Sequence, residues 1–204
     1  MVHPRLRLVL MTLGSLLLVG ILVFVIAYDP ETGGTQAPTT SLQGSIRPKA
    51  PPVDAALPDQ EGRMTRVADL RGAPVIVTFM YTTCDNDCPT MTQQIRGALD
   101  RLGRDVPVIA ISVDPANDTP ARARAFITKQ HMTGRMRFLL GDEAQLQRVW
   151  RAFGIQPQEN GLEHSASVMV LDPRGVARVS FPVDRLTPEG LAHDVRAVSA
   201  APAS

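Results

Sequence analysis

The residues best suited to chemistry are two cysteines four apart in one short stretch, Thr83-Cys84-Asp85-Asn86-Asp87-Cys88-Pro89, and the chain has no others. A thiol pair this close can close a small disulfide, cycle between dithiol and disulfide, or hold a soft metal as two thiolates. A disulfide that merely staples the loop would stabilise little, because it encloses so few residues. Two thiolates about 4 Å apart repel by roughly 4 kcal/mol at an effective dielectric of 20, so both ionise at neutral pH only beside a cation. Asp85 and Asp87 add to that repulsion. A bound metal removes the penalty, and its affinity then rises with pH as protons are displaced.

A metal needs at least one further ligand, and the chain has four histidines. His3 precedes a long apolar segment and is separated by it from the cysteines. His131 follows a helix end in a basic, polar stretch and reads as a surface residue. His193 falls within an amphipathic helical pattern and reads as solvated. His164 stands in Glu159-Asn160-Gly161-Leu162-Glu163-His164-Ser165, immediately before a strand-like run. There a metal ligand and a plain structural histidine are both open readings.

The elements that position these residues follow from hydrophobic periodicity. Val75-Ile76-Val77-Thr78-Phe79-Met80 is a short β-branched run that predicts a buried strand leading into the thiol loop. After the loop, Met91, Ile95, Ala98, Leu99 and Leu102 form a helical stripe. Residues 106–113 predict a second buried strand ended by Asp114-Pro115. Thr119-Pro120 supplies an N-cap and a first-turn proline for a helix running to about Gln130. Phe138-Leu139-Leu140 is a brief strand candidate, and Leu146, Val149, Trp150 and Phe153 mark one face of a helix. Residues 168–171 and 176–181 flank the turn Asp172-Pro173-Arg174-Gly175 and predict a hairpin. A last helix starts at Thr187-Pro188. This order predicts an α/β domain of thioredoxin-like type, a mixed sheet flanked by helices.

Pro89 bears on the geometry of the pair. Proline disfavours helical geometry in the residue before it, which predicts Cys88 as N-cap and Pro89 as the first helical residue. Cys84 then belongs to the loop. Cys88 gains the positive end of the helix dipole, which lowers a thiol pKa.

The N-terminal region addresses the compartment. Residues 8–28 carry no charged side chain, and a helix of that length spans about 30 Å, the thickness of a bilayer core. No small-residue cleavage pattern follows, so the segment reads as an uncleaved transmembrane anchor rather than a signal peptide. Arg5 and Arg7 before it keep residues 1–7 cytoplasmic. Residues 29–50 are rich in Gly, Thr, Ser, Gln and Pro and read as a flexible linker. Residues 51–204 form one domain with room for a core. A bacterial inner membrane with this domain in the periplasm fits best, and in that oxidising space an idle dithiol would close to a disulfide. The formal net charge of +1 gives no electrostatic case for nucleic acid.

Three segments in order resemble the SCO/SenC proteins, membrane-tethered copper chaperones of cytochrome oxidase assembly. Cys84-Asp85-Asn86-Asp87-Cys88-Pro89 is similar to their C-x-x-x-C-P loop. Asp114-Pro115-Ala116-Asn117-Asp118-Thr119-Pro120 resembles their D-P-x-x-D-T-P segment. His164-Ser165 with Asp172-Pro173-Arg174-Gly175 resembles their H-S…D-P-x-G segment. The resemblance implies that Cys84, Cys88 and His164 bind copper, as Cu(I), Cu(II) or both. It also implies delivery to the copper-site subunit of cytochrome c oxidase, after loading by an upstream copper donor or thiol reductant. No bond-making catalysis is then required. Asp114 and Asp118 correspond to acidic motif positions, where turn-forming and functional roles are both open. Asp85 and Asp87 depart from the family pattern, which has Pro after the first cysteine and an apolar residue before the second. The runner-up is a thiol–disulfide oxidoreductase that uses Cys84 and Cys88 to reduce the oxidase subunit's cysteines; a redox or copper sensor is the third reading.

Overall fold

The computed structural model describes residues 13–19, 21, 41–47, 55–155 and 167–200. It comprises two compact units, Met1–Thr40 and Ser41–Ser204. In the first unit residues 13–19 and 21 are helical, with Leu13, Leu16, Leu17 and Leu18 exposed. Among the described residues no helix is long and apolar enough to cross a membrane. The rest of the expected span, residues 8–28, lies outside them.

The second unit is built on a six-stranded mixed sheet. In chain order its elements are β1 (Ser45–Ile46), β2 (Ala56–Pro58), β3 (Met64–Arg66), β4 (Val75–Met80), α1 (Asp87–Leu102), β5 (Val108–Ser112), α2 (Pro120–Lys129), β6 (Arg137–Leu139), α3 (Glu143–Phe153), β7 (Ser167–Leu171), β8 (Ala177–Pro182) and α4 (Pro188–Ala200). The sheet order is β1-β8-β7-β4-β5-β6, while β2 and β3 make a separate hairpin. β4 runs parallel to β5 and antiparallel to β7. Parallel strands need a crossover, and α1 supplies it between β4 and β5.

Central strands are covered on both faces, which is why β4 reads as an unbroken apolar run rather than an alternating one. Its alternate side chains serve different cores. Ile76 and Met80 join Met91, Ile95 and Leu99 of α1, Phe126 of α2 and Leu191 and Val195 of α4 on one face. Val77 and Phe79 join Leu146, Trp150 and Phe153 of α3 on the other, with Leu57 of the β2–β3 hairpin. Phe79 meets Phe153 edge to face at 5.2 Å between ring centroids. The β7–β8 turn closes as expected. Asp172 accepts from the Arg174 and Val176 amides, and Gly175 takes the left-handed conformation at φ 84°.

Two features differ from the sequence expectations. Pairing begins earlier than residue 51: residues 41–47, read as linker, lie along the domain. There β1 pairs antiparallel with β8, and the buried Asp194 carboxylate accepts the Gln43 and Gly44 amides at 2.9–3.0 Å. Helix α1 begins at Asp87, with Asn86 as N-cap, rather than at Pro89. Pro89 still falls in the first turn, where its missing N–H needs no partner.

Candidate metal centre

The thiol loop is what β4 delivers at its C-terminal end. Its position is fixed from below by a hydrogen-bonded column. Asp118, only 8% exposed, accepts from the Thr82 amide at 2.7 Å, the Thr82 hydroxyl at 2.6 Å and the Ser112 hydroxyl at 2.6 Å. The carbonyl of Ser112 accepts in turn from the Trp150 indole at 2.9 Å. The loop is thereby tied to the end of β5 and to α3. Burial pushes the Asp118 carboxyl up from the ordinary range, against the lowering effect of these hydrogen bonds. Asp114 closes the preceding turn through Asn117 and touches neither cysteine loop nor Thr82 among its hydrogen bonds.

Cys84 is 8% exposed and Cys88 is fully buried, both as free thiols. The Cys88 amide donates to Cys84 Sγ at 3.2 Å. The Cys88 thiol also donates to Cys84, as do the Asn86 backbone and the Tyr81 hydroxyl, and together they bring Cys84 down to about 6 despite its burial. Cys88 is pushed up, first because its proton is held by Cys84 and second by burial. The Tyr81 hydroxyl rises to about 12 through desolvation and the neighbouring Cys84 charge.

The two shifts run in opposite directions, Cys84 down and Cys88 up, which is the reverse of the dipole expectation. The Cys88 amide in the first turn of α1 donates to the sulfur of the cysteine outside the helix, so the helix start favours charge on Cys84. Asp87 contributes to raising Cys88, in the sense expected for a nearby carboxylate.

Of the other candidates, His131 is exposed in a left-handed turn at φ 57°, as a surface residue. His193 is half-buried, with Nδ1 2.9 Å from Asp194 Oδ1, rather than fully solvated. His164 lies outside the described residues. Among the described residues no group of three His, Cys, Asp or Glu side chains could hold a metal ion. Topology does show where the segment carrying His164 rejoins the sheet. β7 starts at Ser167, whose carbonyl accepts from Thr78 Oγ1 at 3.3 Å, at the end of β4 from which the thiol loop departs.

Sequence reasoning did not single out Tyr81, Thr82 or Ser112 as site residues. A tyrosine and a threonine directly before a cysteine carried no periodic signal, and Ser112 lay inside an expected strand.

The SCO1/SenC family matches residues 54–200. The chain belongs to the SCO1/SenC family. Its thioredoxin-like Sco fold is shared with the Bradyrhizobium japonicum ScoI structure with copper bound, at 30% identity, TM-score 0.61 and coverage of 71% of this chain and 96% of that one. BsSco, a Sco protein of cytochrome c oxidase assembly in which a disulfide switch was identified, superposes at TM-score 0.67 and 22% identity over 78% of this chain and 99% of its own. The mitochondrial SCO2 homolog of Bos taurus is 26% identical over 161 residues, 72% of this chain and 59% of its own length. Within this SCO1/SenC domain the thiol loop, held through Asp118, Ser112 and Trp150, forms the candidate centre.

Proposed function

We propose that this chain is a copper carrier in which Cys84 and Cys88 supply two sulfur ligands and His164 the third. The observation that supports it most is the pair itself, two buried free thiols at a helix start, with the Cys88 amide 3.2 Å from Cys84 Sγ. Two thiolates and an imidazole form a soft, three-coordinate set suited to Cu(I), with room for a further donor in Cu(II). Zinc in structural sites takes four protein ligands, and the chain has no third cysteine. His164 precedes Ser167 by three residues, a reach of about 10 Å, and Ser167 sits at the sheet end that bears the loop.

Uptake needs little preparation. The lowered Cys84 thiol gives up its proton to the incoming cation readily, and the metal then displaces the more tightly held proton of Cys88. An open coordination position allows the metal to leave by ligand exchange. In this reading residues 8–28 anchor the chain in a bacterial inner membrane, residues 1–7 are cytoplasmic, and the domain lies in the periplasm. Its recipient is the binuclear copper site of a cytochrome c oxidase subunit, in keeping with the assembly role of BsSco.

A thiol–disulfide reductase is the second reading, favoured by the same asymmetry: Cys84 attacks and Cys88 resolves. Titration of the reduced full chain with Cu(I) against a competing chelator separates them. The carrier reading expects tight stoichiometric binding that weakens in His164→Ala. Unchanged affinity in that variant, with metal-free turnover of disulfides, favours the reductase.

A further inference from the structure

A cleft of about 310 Å³ opens beside Cys84. One wall is the thiol loop, with Thr82, Cys84 and Pro89; the other is a face of α2. Arg122, Ala125, Phe126 and Lys129 are spaced i, i+3, i+4 and i+7, so they share one side of that helix. The centre of this stripe is apolar and its two ends are cationic. Seven residues of helix separate the cations by about 10 Å along the axis.

Both cations are exposed. The Arg122 guanidinium donates to the Asn117 carbonyl at 2.8 Å and keeps its other donors for the cleft. No hydrogen bond or ion pair engages the Lys129 ammonium among the described residues. The opposite wall carries exposed Asp85, so the two sides differ in sign. Cations beside a site that takes up a metal cation are repulsive to the bare ion. They suit an anionic molecule that brings or removes it.

We infer that this cleft docks an acidic segment of the protein that exchanges copper with Cys84. The segment lies extended across Phe126 with a small or apolar side chain, and places two carboxylates on Arg122 and Lys129. In an extended chain residues four apart face the same side about 13 Å apart, with the side chain of the residue midway between them over Phe126. The long side chains of Arg122 and Lys129 reach that span from about 10 Å. Asp85 repels those carboxylates and so fixes which wall they choose. The inference rests on the carrier reading above. In the exchange Cu(I) keeps its oxidation state, and the Cys88 proton passes to the thiolate the metal leaves.

The test uses two synthetic Cu(I)-loaded peptides with the same Cys-x-x-Cys site, one flanked by glutamates and one by lysines. Copper transfer to the reduced full chain is timed for the wild type, for Arg122→Glu with Lys129→Glu, and for Arg124→Glu. Arg124 lies on another face of α2 and lines a different cleft. The wild type is expected to take copper from the acidic peptide roughly tenfold faster at low salt, a gap that closes as salt rises. The double reversal inverts this order, Arg124→Glu preserves it, and the equilibrium Cu(I) affinity of the double variant stays within about threefold of wild type.

Equal rates from the two peptides, or the same loss in Arg124→Glu as in the double reversal, would overturn the docking site. So would glutathione abolishing the preference, because a small thiol would then be the occupant. Failure of the wild type to bind Cu(I) at all would sink the carrier reading instead, which the affinity titration reads separately.

Discussion

Titration of Cys84 gives the sharpest consequence of the site's geometry. The Cys88 thiol and amide, the Asn86 backbone and the Tyr81 hydroxyl lower it from 9.0 to about 6, while Cys88 moves up. At pH 7 an ordinary thiol of pKa 9.0 is ionised in roughly one molecule per hundred; at about 6 the thiolate outnumbers the thiol by roughly ten to one. The rate of attack does not rise in proportion. A thiolate three units less basic is intrinsically slower by about 15- to 30-fold, and 8% exposure slows it further. The diagnostic quantity is therefore the midpoint of the pH profile and not the rate at any one pH. Alkylation of the reduced, metal-free full chain by iodoacetamide, mapped by mass spectrometry between pH 4.5 and 9.5, is expected to modify Cys84 with a midpoint near 6 and to spare Cys88. Tyr81→Phe removes one donor to the thiolate and shifts the midpoint upward. The linkage has a definite sign. A depressed folded value stabilises above the unfolded value and is lost as pH falls through about 6, so the reduced chain gains stability between pH 6 and 9, and Cys84→Ser does not. A midpoint near 9, or equal labelling of both cysteines, refutes the opposed shifts of the two thiols.

Three further outcomes follow from the same contacts. Asp118→Ala leaves the Thr82 amide and two hydroxyls without their acceptor and should cost about 2–4 kcal/mol by urea unfolding, whereas Asp118→Asn, still able to accept, should cost less than half as much. Cu(I) binding at pH 7.5 should release close to one proton per metal, since Cys84 is already ionised, and calorimetry in buffers of different ionisation enthalpy reads that number; release of two protons contradicts it. Gly44→Ala drives a Cβ to 2.5 Å from Val179 Cγ2 and 2.9 Å from the Ser180 carbonyl, so hydrogen exchange at the Arg47 amide should accelerate, with an expected loss of about 1–3 kcal/mol.

Much of the architecture was legible because its signals are strong and local. The unbroken β-branched run of β4, the Thr119-Pro120 helix start, the apolar spacing along α3 and the Asp172–Gly175 turn each specify one conformation with little competition. β1, β2 and β3 were not legible. Two or three residues are too few to show a period, and what holds β1 is the remote Asp194 carboxylate 150 positions away. At the site, the thiol pair and Asp118 were visible as residue types. Their roles were not, because these depend on which atoms meet. A dipole argument from Pro89 favoured Cys88 as the acidic thiol, yet the Cys88 amide itself donates to Cys84, and the N-cap Asn86 backbone helps lower that thiol. The Asp118 column depends on Ser112, Thr82 and Trp150 arriving from three separate elements, a coincidence no spacing encodes.

The central claim is a copper site of two sulfurs and one imidazole on Cys84, Cys88 and His164. X-ray absorption at the copper edge of the Cu(I)-loaded full chain, wild type and His164→Ala, tests it most directly. The account predicts two sulfur neighbours and one imidazole nitrogen in the wild type, with the imidazole scattering lost in the variant and both sulfurs retained. A spectrum with sulfur neighbours alone, unchanged by His164→Ala, would contradict it.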